Sequence, residues 1–145
     1  MLAVDTNVLI AAAMEEADGH AAALAWVEGL RVGTRTWFVT WPIVYETLRV
    51  TTHPRVFPHP LRAAQAWRFI DGLRASPTFG VLTATGRHGD VLGDLLKEYP
   101  RLAGNVMHDL HTVALMREHG VREIHTADRD FLQFSGLRVV NPLAA

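Results

Sequence analysis

The first ten residues constrain the fold most. Leu2-Ala3-Val4, an apolar run of strand length, meets Asp5-Thr6-Asn7 and is followed at once by Val8-Leu9-Ile10. Such a run reads as a buried strand that delivers a carboxylate to its carboxyl edge. Asn7 to Met14 then reads as a helix, with Asp5 or Thr6 able to accept from the exposed amides at its start. The pattern recurs along the chain. Trp37-Phe38-Val39 is a second strand, followed by Thr40 as a cap and Pro42 in the first turn of a helix carrying Glu46. Phe79 to Leu82 makes a third strand, Ile124-His125-Thr126 a fourth that ends at Asp128, and Leu137 to Val140 a fifth. Asp18 is expected to cap a helix that ends around Gly29 to Gly33. Further helices are expected over Leu61 to Ala75, Val91 to Tyr99 and Asn105 to Glu118, the last stopped by Gly120. His53 to Pro60, dense in proline, is a constrained loop. Alternating strands and helices predict an α/β chain: a single three-layer α/β/α domain over residues 1–145 with a mainly parallel five-stranded sheet.

The absence of cysteine removes disulfides, zinc-thiolate sites and thiol catalysis from consideration. The longest apolar stretches, Val8 to Met14 and Ala21 to Val27, fall far short of the roughly 20 residues of a membrane span. No basic leader precedes Asp5, so a cytoplasmic protein without membrane contact is expected.

In a doubly wound sheet, ligands gather at the carboxyl ends of the strands. Asp5 follows the first strand, Glu46 the second and Asp128 the fourth, while Asp109 lies on the helix leading into the fourth. Carboxylates pushed together without counter-charge raise one another's pKa, so a cluster of four implies bound cations. Oxygen donors without thiolate select Mg²⁺ or Mn²⁺, whose usual work on such a set is phosphodiester hydrolysis. Taken singly, each acid also has a structural reading: Asp5 as a helix cap, Glu46 on a wet face, Asp128 in a turn. Thr126 either orients water or bonds Asp5, or is a β-favouring residue at a strand end. His108 and His111 flank Asp109 on neighbouring helix faces, as ligands, substrate contacts or bystanders.

Setting the four acids aside leaves 11 of the 15 acidic residues against 14 basic ones, of which only Lys97 is not arginine. Arg49, Arg55, Arg62, Arg68 and Arg74 form a basic excursion next to the Glu46 helix, fit to guide an RNA backbone. Phe57 is placed to stack on an unpaired base or to pack on the core. Trp26, Trp37, Trp41 and Trp67 are assigned to core or dimer packing.

Four stretches together resemble the PIN-domain ribonucleases, and within them the VapC toxins of bacterial toxin-antitoxin pairs. They are Val4-Asp5-Thr6-Asn7-Val8-Leu9, Glu46 before Thr47-Leu48-Arg49, Gly104-Asn105-Val106-Met107-His108-Asp109-Leu110-His111, and Thr126-Ala127-Asp128-Arg129-Asp130-Phe131. The resemblance implies a PIN fold, a metal-dependent endoribonuclease, an RNA substrate, a VapB-type antitoxin and a homodimer. It assigns Asp5, Glu46, Asp109 and Asp128 as catalytic metal-binding acids and Asn7, Thr126 and Asp130 as supporting residues. Arg49, Arg55, Arg62, Phe57, His111 and Arg129 are the candidate RNA contacts. Leu110 and Met116-Arg117 depart from the small apolar residues common in the family. A phosphorelay receiver would have paired acids after its first strand and a lysine after its last, and a haloacid-dehalogenase-like phosphatase an Asp at position 7; this chain has neither arrangement. A PIN-like RNA- or protein-binding module without catalysis is the alternative, and the four intact acids count against it.

Overall fold

The computed structural model describes residues 1–144. Strand β1 (Leu2–Val4) leads through Asp5 into helix α1 (Thr6–Ala13), and α2 (His20–Val32) follows. Then come β2 (Trp37–Thr40), α3 (Trp41–Thr51), α4 (Ala63–Arg74), β3 (Phe79–Leu82) and α5 (His88–Glu98). The chain continues through α6 (Val106–Glu118), β4 (Glu123–His125), a 3-10 turn (Arg129–Gln133) and β5 (Arg138–Val140). The five strands are parallel and ordered β3-β2-β1-β4-β5.

Alternation along β1 divides the interior into two layers. Leu2 and Val4 join Val8, Leu9, Val27, Trp37, Ile43 and Ile70 beneath α1 to α4. Ala3 faces the other way, with Leu95, Leu110, Val113, Ile124, Phe131 and Phe134 beneath α5 and α6. The three-layer α/β/α architecture follows directly. Gly80 of β3 lies opposite Phe38 of β2, and a Cβ there would come within 2.8 Å of the Phe38 ring, so the sheet needs glycine at this position.

Local capping matches expectation at α1 and α3 but not at α2. Asp5 caps α1 by accepting from the Thr6 amide, and the Thr40 hydroxyl caps α3 by accepting from Ile43 N–H at 3.2 Å. Asp18 does not cap α2. Gly19 takes that place in the left-handed region, at φ 76°, with no side-chain bond, because the turn from Met14 needs a positive φ there more than it needs a cap. The fourth strand ends one residue before Thr126, which frees that hydroxyl for the site. His53 to Pro60 is a loop. Leu110 and Met116 are buried in the α5–α6 layer.

Candidate active site

Asp5 and Asp128 meet because β1 and β4 are neighbours: the chain winds outward from β1 through β2 to β3, then crosses back to β4. That crossing makes the switch point at which open α/β sheets bind ligands. Val4 pairs with His125, so Asp5 and Thr126 emerge side by side at the carboxyl edge.

Asp5 is buried and held from three sides. Its Oδ1 accepts from the Thr6 amide at 2.8 Å, and its Oδ2 accepts from the Thr126 hydroxyl at 2.8 Å and from Asn7 Nδ2 at 3.2 Å. Asn7 Nδ2 also donates to Thr126 Oγ1 at 2.9 Å, while its Oδ1 accepts from the Ala127 amide at 2.9 Å. Thr126 Oγ1 in turn accepts from the Asp128 amide at 3.0 Å, and Asp128 Oδ1 from the Asp130 amide at 2.8 Å. Asn7 and Thr126 therefore tie the turn after β1 to the turn after β4, and every carboxylate between them inherits a fixed position.

Asp109 of α6 reaches the same place from the other layer. One carboxylate oxygen from each of Asp109, Asp128 and Asp130 lies within 4.8 Å of the others. Burial, then the fields of Asp128, Asp5 and Asp130, push the Asp109 carboxyl up to about 7. Burial also raises Asp5, against the hydrogen bonds from Thr126 and Thr6. A set of hard oxygen donors whose members are destabilised by one another fits a divalent cation, which would relieve both the burial and the repulsion.

The sequence grouped Asp130 with the supporting residues, whereas the fold brings it into the acidic cluster. Two residues after Asp128, it stays exposed but is set beside that carboxylate by the 3-10 turn, an element that no local pattern announces. Glu46 is the reverse case. It turns back onto its own helix, where Oε1 accepts from Arg49 Nη2 at 2.7 Å and Oε2 from Arg49 Nε at 3.0 Å. The Arg49 hydrogen bond holds the Glu46 carboxyl below its usual value.

The candidate RNA contacts divide in the same way. Arg129 is exposed beside the acids, and Arg55 and Arg62 are exposed before α4, whereas Phe57 is half-buried in the loop. His111 lies about 200° round α6 from Asp109 and packs edge-on against His88, with ring centroids 5.6 Å apart. It faces away from the acids. Of the tryptophans assigned to packing, Trp37 is fully buried, but Trp41 and Trp67 remain exposed. A second buried acid, outside the cluster, has partners that no sequence pattern marks. Glu118 at the end of α6 accepts from the Thr85 amide and hydroxyl, both at 2.8 Å, and lies 2.6 Å from His88 Nδ1.

The family model described as PIN domain matches residues 2–137. The chain belongs to the PIN-domain family. Ribonuclease VapC48 of Mycobacterium tuberculosis is 33% identical to this PIN domain over 143 residues, covering 97% of this chain and 96% of the relative. The crystal structure of Mycobacterium tuberculosis VapC20, a Sarcin-Ricin loop cleaving toxin, superposes with a TM-score of 0.62 at 20% identity, covering 95% of this chain and 99% of that one. A toxin-antitoxin complex from Klebsiella pneumoniae gives a TM-score of 0.63 at 20% identity, with 98% of each chain covered. The PIN domain described here thus shares its fold with VapC toxins and is 33% identical in sequence to a VapC ribonuclease. Among its described residues, no helix is long and apolar enough to cross a membrane.

Proposed function

We propose that this PIN domain is a Mg²⁺- or Mn²⁺-dependent endoribonuclease toxin that acts as a cytoplasmic homodimer and is restrained by a VapB-type antitoxin. The observation that carries the reading is the convergence of Asp109, Asp128 and Asp130 within 4.8 Å of one another, beside the buried Asp5 at the switch point. Asp5, Asp109, Asp128 and Asp130 are the residues placed to hold the ion, with Glu46 joining when it leaves Arg49. A bound divalent cation supplies the charge that balances these carboxylates and the Lewis acidity that activates water and steadies the leaving oxygen.

The chain's own contribution is orientation. Thr6, Asn7 and Thr126 donate to three of the roughly four lone-pair positions of the Asp5 carboxylate, which leaves one, on Oδ1, free for an ion. Asn7 holds the turn that carries Asp128, and Arg129 stands at the rim to meet a phosphate. An antitoxin that offers an arginine to the acids would compete for the same negative charge, which is a direct route to inhibition.

Purified chain freed of antitoxin and stripped with EDTA is expected to leave cellular RNA intact, and to cut it when Mg²⁺ or Mn²⁺ is restored. Failure to cut with either ion would favour the binding-module reading. Arg49 and the cation compete for Glu46 in this scheme. The Glu46–Arg49 pair is exposed, with 44% and 60% of the side chains accessible, so solvent screens it and it is easily exchanged. Arg49→Ala is therefore expected to tighten Mn²⁺ binding by a factor of up to about five, read by titration calorimetry. Unchanged affinity would mean that Glu46 is no ligand.

A further inference from the structure

The edge that carries the acids also carries aromatic rings that the chemistry above leaves unused. Trp41 opens α3 directly after β2, and Tyr45 and Arg49 follow at intervals of four, so the three side chains stand in one line along the helix. Trp41 is 40% exposed and Tyr45 is 70% exposed, while Glu46, the acid of this helix, adjoins the line. Large rings left in water beside a candidate active site call for an occupant.

We infer that this line is the landing surface for an unpaired RNA segment leading to the acidic site, one base stacking on Trp41 and a second on Tyr45. The inference rests on the nuclease reading and names the form of substrate it takes. Residues four apart on a helix are separated by about 6 Å along its axis, wider than the roughly 3.4 Å between stacked bases in a duplex. That spacing suits bases splayed from a single strand, which stack on aromatic side chains one at a time.

Charge points the same way. Between Trp41 and Ala75 the chain holds Arg49, Arg55, Arg62, Arg68 and Arg74 against Glu46 and Asp71. Both acids are already paired, Glu46 with Arg49 and Asp71 with Arg74. Arg55, Arg62 and Arg68 have no acidic partner among the described residues, and α4, which carries Arg68, packs against α3. A protein interface would place its charge-depleted centre over such rings, but here Arg49 lies within the line and Glu46 beside it.

The probe is a ten-nucleotide fluorescein-labelled oligouridylate, followed by fluorescence anisotropy with EDTA present so that no strand is cut. Trp41→Ala and Tyr45→Ala are each expected to weaken binding about tenfold or more, and Trp41→Phe and Tyr45→Phe to retain most of it, since stacking needs only a ring. A duplex of the same length should lose much less. The inference is overturned if the double alanine variant binds within twofold of the parent, if the phenylalanine variants lose as much as the alanine ones, or if the parent binds no oligonucleotide. Unchanged binding together with a changed sedimentation mass would assign the rings to a protein interface instead. A cleavage assay separates the two readings. Parent protein that does not cut with Mg²⁺ or Mn²⁺ yet binds through these rings sinks the nuclease and keeps the surface; a double variant that cuts with unaltered KM sinks the surface alone.

Discussion

Asp109→Asn is expected to abolish metal-dependent RNA cleavage and, at the same time, to make the metal-free protein more stable. The first half follows from removing a central oxygen donor; even outer-shell partners of metal ligands typically cost about 10- to 100-fold, and a donor itself should cost at least the upper figure. The second half follows from the same electrostatics. Burial and three neighbouring carboxylates raise Asp109 from 3.8 to about 7, so the folded state disfavours its ionised form. The folded protein binds the proton more tightly than the unfolded chain, so stability falls as pH rises from about 4 and levels off above about 7. Asparagine carries no charge and escapes this loss, which, reduced by solvent screening of a half-exposed carboxyl, amounts to about 1–3 kcal/mol above pH 7. Thermal unfolding at pH 5 and pH 8 in EDTA should show the variant gaining on the parent at the higher pH. Mn²⁺ should reverse the order, because the ion stabilises the parent through its folded state. A variant that is no more stable than the parent in EDTA would show that the acids are not strained against one another.

The second large effect lies at the far end of the same helix. Glu118 has a fully buried carboxylate, and burial alone would raise its pKa. The hydrogen bonds with His88 and Thr85 and the field of His88 outweigh burial and hold it at about 2, below its ordinary 4.5. A lowered carboxyl contributes stability that is complete above pH 4.5 and is lost as pH falls towards 2. The contribution is shared with the packing of α5 on α6 that it helps to fix. Glu118→Gln should therefore lower the urea midpoint at pH 7 by an amount equivalent to about 1–3 kcal/mol. It should also flatten the acid limb between pH 4.5 and 2 that the parent shows. Equal midpoints at pH 7 would mean that the Glu118–His88–Thr85 network does not support the fold.

These two acids also mark how far the sequence could be read. Asp109 was legible because an acid among apolar helix positions needs a partner or a metal, and because it recurred in register with Asp5 and Asp128. Glu118 was not, because its partners are Thr85, in the loop before α5, and His88, at the start of α5, about 30 residues earlier in the chain, and nothing local to either segment specifies the pairing. Asp130 and Glu46 owe their surroundings to contacts that position along the chain does not show. Position in sequence put Glu46 after a strand and Asp130 in a closing motif, but side-chain direction was set by a 3-10 turn in one case and by Arg49 one helical turn away in the other. His111 followed from Asp109 by proximity along the chain, and the helix put it on the opposite face.

By itself, then, the sequence determined the alternation of strand and helix, the delivery of acids to strand ends and the exclusion of thiol chemistry, since each depends on runs of a few residues and on composition. Only the tertiary structure decided that β1 lies between β2 and β4. Parallel pairing is non-local, and the crossing from β3 back to β4 is what sets Asp5 against Thr126, 121 residues away, across a 2.8 Å hydrogen bond. The opening stretch supplied the carboxylate; the strand order made it part of a site.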